Sequence, residues 1–371
     1  MYFLSPTNRI IGLDISDLSI KAIQLKKKSP NNIIIKAKQS IEVGPGLISE
    51  GVINNFEAVA KIIKENIVKN KDKFNTKYAV LSLPETKTFI KLIDLPNNKK
   101  SIRETITQEL PKHVPVNLDD MQMDYQHIKN IGRKNKFLIG LVPKKISEDY
   151  IKLAHMSGLE PIALEIEAQA IIRSIIKKEN NAKDNFLNIF KKNSNTNKTG
   201  LKNGPRIILD MGATRTSLIL FDQDTIQFSN SLSNISGELL TIEIAKKLKI
   251  DKEKAEKIKT IFGSKVKKNK QGILKTIDSL TVNIARAVKQ AEEFYESHFG
   301  RSVQGLEIII CGGGANLTGV ETKISKLTNR NTILADPLAN INLDNNGQND
   351  KNHKRYLEYA TAIGLALRNK I

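Results

Sequence analysis

The sequence predicts an α/β protein of two related lobes with a small α+β subdomain inserted. Three observations carry this. An apolar strand ending on aspartate, then a small polar turn and a second strand, occurs at Ile10–Leu25 and again at Arg206–Asp222. Residues 78–165, between these copies, read as strands and helices of their own. Residues 180–204, rich in Asn, Lys, Ser and Gly, read as a flexible linker between the halves.

In order, Ile10–Ile15 is a short apolar run and Ile20–Leu25 alternates apolar and polar residues, as a half-buried strand does. Asn32–Glu42 continues as a third strand, and Gly44-Pro45-Gly46 breaks the run. Phe56–Val68 has helical spacing. Tyr78–Leu83, Thr88–Leu95 and Phe137–Val142 read as strands, and Lys100–His113 as a helix. Ser147 caps a helix to Met156 that Gly158 stops. Ile162–Glu167 is a strand or turn leading into a helix over Ala168–Lys177. In the second half, Arg206–Asp210, Ser217–Asp222 and Thr225–Ser231 repeat the three-strand opening. Helices follow at Ile235–Leu248, Asp251–Phe262 and Thr276–His298. Leu306–Ile310 is a strand, and Val320–Leu327 and Tyr356–Arg368 are helices. The expected division is 1–77 first lobe, 78–165 insert, 166–179 linking helix, 180–204 linker, 205–354 second lobe, and 355–371 a helix returning to the first lobe.

The 371 residues carry 59 Lys+Arg against 39 Asp+Glu, a formal net charge of +20. The lysines are dispersed, aromatics are 5% and Trp is absent, so stacking platforms for nucleic acid are poorly supplied and no nucleic-acid partner is expected. The positive field favours contact with an anionic membrane surface. No run of apolar residues is long enough for a transmembrane helix, and Met1–Arg9 lacks the pattern of a secretion signal. Cys311 is the single cysteine and reads as a buried thiol, which fits a reducing, cytoplasmic compartment. The histidines show no metal-ligand spacing.

Three loops have the composition to hold a nucleotide. In Asp14–Lys21, a hydroxyl-rich turn can aim N–H groups at phosphate oxygens, Asp14 can hold Mg²⁺ through water, and Lys21 can neutralise a phosphate. In Asp210–Ser217, Gly212 permits close backbone approach, with Thr214 and Thr216 supplying hydroxyls. Gly312-Gly313-Gly314-Ala315, after a buried strand, lets backbone lie flat against a base or phosphate. Neither a P-loop nor a G-x-G-x-x-G turn after an early strand is present.

Together these loops resemble those of the actin-like ATPase superfamily, and more closely those of the PilM family of type IV pilus assembly. The first motif reads Gly12-Leu13-Asp14-Ile15-Ser16-Asp17-Leu18-Ser19-Ile20-Lys21, the second Asp210-Met211-Gly212-Ala213-Thr214-Arg215-Thr216-Ser217-Leu218, and the third Gly312 through Gly319. Ala335–Asn340 and Ala362–Arg368 resemble its C-terminal signatures, and Gly158-Leu159-Glu160-Pro161 its insert. The resemblance implies duplicated ribonuclease-H-like lobes closing on ATP and Mg²⁺. Asp14 and Asp210 would face the metal through water. Ser16, Ser19, Lys21, Gly212, Ala213 and Thr214 would surround the phosphates, and Gly313 and Gly314 the adenosine end. Glu256 would reach ribose or base, with a solvated helix charge as the alternative. Glu165 and Glu167 are candidates for activating water, with a structural carboxylate as the alternative. Further implications are a location peripheral to the inner membrane and a groove by the insert for the cytoplasmic N-terminal tail of a PilN-like membrane protein. Contacts with the pilus motor ATPase and the platform protein are implied too, and self-association stays open.

Two residues depart from the motif. Ser16 stands where a glycine is expected, and Asp17 brings a carboxylate whose charge would oppose a triphosphate. The alternative functions are an FtsA-like division filament, which would carry a terminal amphipathic membrane helix, and a sugar-kinase-type phosphotransferase, which would need a carboxylate base aimed at a sugar hydroxyl.

Overall fold

The computed structural model describes residues 9–29, 32–96, 101–114, 117–131, 134–177, 204–262, 271–341 and 353–368. The linker read at 180–204, apart from Gly204, lies outside them.

The first half opens with β1 (Ile11–Ile15), β2 (Ser19–Ser29) and β3 (Asn32–Glu42), an antiparallel meander. A small hairpin, β4 (Ile48–Ser49) and β5 (Val52–Ile53), leads to α1 (Phe56–Ile63), which Asn55 caps and which continues as a π-turn to Val68. Then come β6 (Tyr78–Leu83), β7 (Phe89–Pro96), α2 (Ile102–Glu109), β8 (Met121–Ile131), β9 (Lys134–Pro143), α3 (Lys144–Met156), β10 (Glu160–Ile166) and α4 (Glu167–Ile175). The second half runs β11 (Arg206–Met211), β12 (Thr216–Asp222), β13 (Thr225–Leu232), α5 (Gly237–Leu248), α6 (Lys252–Phe262) and α7 (Gln271–Phe299). It ends with β14 (Glu307–Cys311), α8 (Val320–Thr328), β15 (Asn331–Leu334) and α9 (Ala360–Leu367).

The duplication is visible in strand order. One sheet runs β10-β6-β1-β2-β3, and the other contains β15-β14-β11-β12-β13. In each, an antiparallel three-strand meander has two parallel strands added beside its first strand. Parallel neighbours need crossovers, and helices supply them. Each sheet buries its own core, around Ile11, Leu13, Ile63 and Leu81 in the first lobe and Ile208, Ile219, Ile284 and Ile309 in the second.

Pairing corrects the boundary expected for the insert. β6 and β10 are strands of the first-lobe sheet, and Tyr150 of α3 is buried in that lobe's core. What remains inserted is β7, α2, β8 and β9, and β7 pairs with β13, so the insert extends the second sheet to eight strands. The α3 cap also moves. The helix starts after Pro143, and the Ser147 hydroxyl donates back to the Lys144 carbonyl. β8 had no counterpart in the sequence reading.

Two helices stitch the lobes. α4 sends Ala168, Ile171 and Ile175 into the second core. α9 is buried all round, and its residues pack with Ile10, Ile23 and Val80 of the first lobe. A helix apolar on every face belongs in an interior.

Candidate functional site

The two Asp-headed turns meet across a cavity of about 180 Å³ that Asp14, Ser16, Ser19, Lys21, Asp210, Gly212, Ala213, Thr214 and Gly313 line. Gly312, Arg215 and Glu167 line it as well. Asp14 and Lys21 are directly opposed on β1 and β2, as Asp210 and Ser217 are on β11 and β12. The same hairpin geometry therefore presents one aspartate from each lobe.

The turns are internally braced. In the first, the Ser16 amide and hydroxyl both donate to the Ser19 carbonyl, at 2.9 and 3.1 Å, and Lys21 Nζ donates to Ser19 Oγ at 2.7 Å. In the second, the Gly212 amide donates to the Arg215 carbonyl at 2.9 Å. The first amides of α5, from Gly237 and Glu238, bond the carbonyls of Gly212 and Ala213. Gly312 has φ +81, and a Cβ there would lie 2.4 Å from Asp210 Oδ1. Only glycine lets the third loop pass so close to that carboxylate.

Asp17 turns away from the cavity. Its two oxygens accept the amide hydrogens of Glu50 and Gly51, at 3.2 and 2.9 Å. The expected repulsion of a triphosphate is thus replaced by a brace that ties the first loop to the turn between β4 and β5.

Four acids line the cavity, Asp14, Asp210, Glu167 and Glu358, and the charge of Glu85 reaches it as well, against Lys21 and Arg215. Burial raises the Asp14 carboxyl, with Lys21 and the Ser82 hydroxyl (3.2 Å) opposing. Withdrawal from water, then the charge of Asp14, pushes Asp210 up to about 6. Burial lifts Glu167 despite its ion pair with Arg215 at 2.7 Å, in which both side chains are buried. Glu85 is raised by burial too, while bonded to Ser229 of β13. Among the described residues no group of three His, Cys, Asp or Glu is arranged to hold a metal alone. A cation here must complete its shell with water and phosphate oxygens, as Mg²⁺ does. The surplus of oxygen donors fits that group.

The two other carboxylates sit elsewhere. Both oxygens of Glu165 are taken by Arg173, with Arg368 on Oε2 at 3.0 Å, and the side chain lines a different groove. This corrects Glu165 as a water-activating candidate, since the carboxylate is paired to two arginines and lies outside the cleft where a phosphate would sit. Glu167 does reach the cleft, paired to Arg215. Glu256 is not in the cavity lining. It bonds Lys259 at 2.7 Å and Thr241 at 2.5 Å, and Lys259 reaches the Gly237 carbonyl, one turn behind the second loop. Gly314 packs on Met211 rather than lining the cavity. Sequence reasoning missed Arg215, whose charge among small hydroxyl residues was the available signal. Cys311 is buried with its thiol pushed well up by burial and by Asp210, 3.7 Å away.

Asp210 makes stability depend on pH. Its folded pKa of about 6 exceeds the ordinary 3.8. Its contribution is therefore fully present below pH 3.8 and is lost as pH rises through about 6. Asp210→Asn should flatten that loss and melt higher than wild type at neutral pH without nucleotide. Thermal unfolding followed across this range checks it, and an Asn variant no more stable at neutral pH refutes the argument.

The family model described as "Type IV pilus assembly protein PilM" matches residues 12–370. A solved "PilM-PilN type IV pilus biogenesis complex" superposes with TM-score 0.78 at 21% identity, covering 99% of this chain and 100% of that one. MreB5 of Spiroplasma citri bound to ADP gives 0.53 at 13% identity, covering 98% and 97%. The ethanolamine utilization protein EutJ from Carboxydothermus hydrogenoformans gives 0.56 at 16%, covering 96% and 88%. The cell division protein FtsA of Streptococcus pneumoniae is 21% identical over 271 residues, 68% of this chain but only 55% of that protein. The likenesses of structure establish an actin-like ATPase fold, and no helix among the described residues is long and apolar enough to cross a membrane. With a match over nearly its whole length, the chain belongs to the PilM family of type IV pilus assembly proteins.

Proposed function

We propose that this chain is an ATP-binding scaffold of pilus assembly, or of a related secretion or DNA-uptake machine, that holds the cytoplasmic tail of a PilN-like membrane protein. The observation that carries it is the convergence of Asp14 and Asp210, from matched hairpins, on one cavity. Lys21 and the amides of Ala213 and Thr214 receive phosphate oxygens, while Gly313, whose added Cβ would meet nothing within 4 Å, leaves space at the third loop. Bound Mg²⁺ would neutralise phosphate charge, and Asp14 and Asp210 would orient its waters. About 180 Å³ holds a phosphate chain but is small for a whole nucleotide, so the lobes part to admit the base. Glu167, tied to Arg215, positions the cleft rather than serving as a free base, which favours slow turnover or none.

The tail belongs in the groove of about 610 Å³ where β8 and β9 face β10 and α4. Leu138, Val142, Leu164 and Ile166 give it an apolar floor and Gly140 keeps it open. β8 is the last strand of its sheet, so an extended tail has an edge to follow. The motor ATPase and platform protein would be reached through the resulting complex at the cytoplasmic face of the inner membrane.

Titration calorimetry with ATP and Mg²⁺ should give heat that chelation of the metal and Asp210→Asn each reduce at least tenfold in affinity. Gly140→Leu, which pushes a branched side chain across the groove, should abolish binding of the synthetic tail peptide and leave the ATP heat intact. Absence of ATP heat in the wild type defeats the nucleotide reading, and tail binding untouched by Gly140→Leu defeats the groove.

A further inference from the structure

The far end of β2 carries a second charged surface. Along this strand the residues through Leu25 are buried or half-buried, but Lys26, Lys27, Lys28 and Ser29 are all exposed. The strand end therefore presents its lysines to solvent, while Ile33 and Ile34, paired with Lys27 and Lys26 on β3, stay buried. Beside it lies a groove of about 490 Å³ to which Arg9 and Lys36 add their charges, and among the described residues no acid lines it. Among the described residues Lys36 bonds neutral oxygens, the Lys73 carbonyl at 3.0 Å and Gln24 at 3.5 Å. Withdrawal from water and the nearby Arg9 and Lys26 lower its ammonium pKa, as mutual repulsion among cations requires. Among the described residues Arg9, Lys26 and Lys27 form no ion pair with a carboxylate. The exposed lysines of α6 differ, since Lys254 and Lys257 are matched by Asp251 at 2.9 Å and Glu253 at 2.7 Å.

We infer that this exposed basic strand end rests directly on the anionic headgroups of a bilayer. Lys26 and Lys27 are successive strand residues and point to opposite faces, and Lys28 stands where the pairing with β3 is interrupted, between Lys27 and Ser29. The cations thus surround a tip instead of converging on one point. That arrangement suits a plane of negative headgroups better than a single shaped anion. Gln24, the buried amide lining the groove, is already engaged with Asn75 and is not offered to a ligand. Among the described residues no aromatic ring lines the groove, which gives a nucleic-acid strand no stacking platform there. The tip is also separate from the cleft, because Lys21 and Lys26 are five residues apart on one strand, roughly 17 Å at strand spacing. The proposed membrane-anchored partner brings the chain to the bilayer, and the lipid contact itself needs no partner.

The test uses the full chain alone. It is sedimented with vesicles of phosphatidylcholine, with or without phosphatidylglycerol, at low and high salt. Wild type should partition onto the anionic vesicles only, and release in high salt. Each lysine near such a surface contributes about fivefold in partitioning, so Lys26→Gln/Lys27→Gln/Lys28→Gln should bind roughly a hundredfold more weakly. Lys254→Gln/Lys257→Gln should bind as wild type. An unchanged melting temperature of the triple variant shows that it is folded. Wild type that ignores anionic vesicles, or a triple variant that binds like wild type, overturns the inference. So does a DNA duplex held as tightly through the same lysines. None of these readouts depends on ATP or tail binding, so failure here is separable from failure of the scaffold reading.

Discussion

Arg215→Met is expected to destabilise the protein by about 3–5 kcal/mol at mildly alkaline pH, the usual cost of stranding one member of a buried ion pair. Arg215 and Glu167 are both buried, and the guanidinium also lies in the field of Asp14, Asp17 and Glu85. Removing it leaves Glu167 and the acids around it facing Lys21 alone. The loss should shrink in mild acid, because protonating Glu167 removes the uncompensated charge, and burial already raises that pKa. Arg215→Met/Glu167→Leu should regain most of the stability, since replacing both partners with apolar groups of similar volume is often neutral. Urea unfolding at the two pH values reads all three quantities. If the double variant is as unstable as the single, or the single is within about 0.5 kcal/mol of wild type, the pair is not what balances this site.

The acidic cluster also explains which parts of the site the sequence reveals. Asp14 and Asp210 are legible because one chemical pattern recurs with one spacing, and topology confirms that they come from equivalent hairpins. Asp17 is not legible, because its orientation is fixed by amides of Glu50 and Gly51, more than thirty residues away. Glu165 and Glu167 look interchangeable in sequence, yet β10 ends between them. Two arginines, one from α4 and one from beyond α9, claim the first, while a loop of the second lobe claims the second. β8 escapes for a related reason. Its alternation of Met121, Met123 and Tyr125 with Gln122, Asp124 and Gln126 uses, Tyr125 apart, weak strand formers, and pairing with β9 makes it a strand. Local propensity thus reports the hairpins, whereas long-range partners decide which carboxylate enters the cleft.

Gly364→Ala is expected to be more damaging still. A Cβ at this position would lie 1.7 Å from the Ala170 carbonyl oxygen and 2.4 Å from its carbon. Both atoms are backbone of α4, so no side chain can swing aside, and the helices must separate. The Gly364 carbonyl accepts from Arg173 Nη1 at 2.9 Å, and Arg173 also holds Glu165, so separation breaks this network as well. Ordinary overpacking costs about 1–3 kcal/mol when neighbours can adjust. Here they cannot, and a loss above about 4 kcal/mol is expected. The control is Gly46→Ala, where φ is +81 but nothing lies within 4 Å, so only the backbone conformation is penalised, at about 1 kcal/mol. Because α9 also packs against the β1 strand that carries Asp14, Gly364→Ala should weaken ATP binding at temperatures where the chain is still folded. Gly46→Ala should not. Denaturant unfolding paired with calorimetry separates the cases. Equal stability of the two variants would mean that α4 and α9 do not hold the lobes at this distance, and the cleft geometry that depends on them would have to be abandoned.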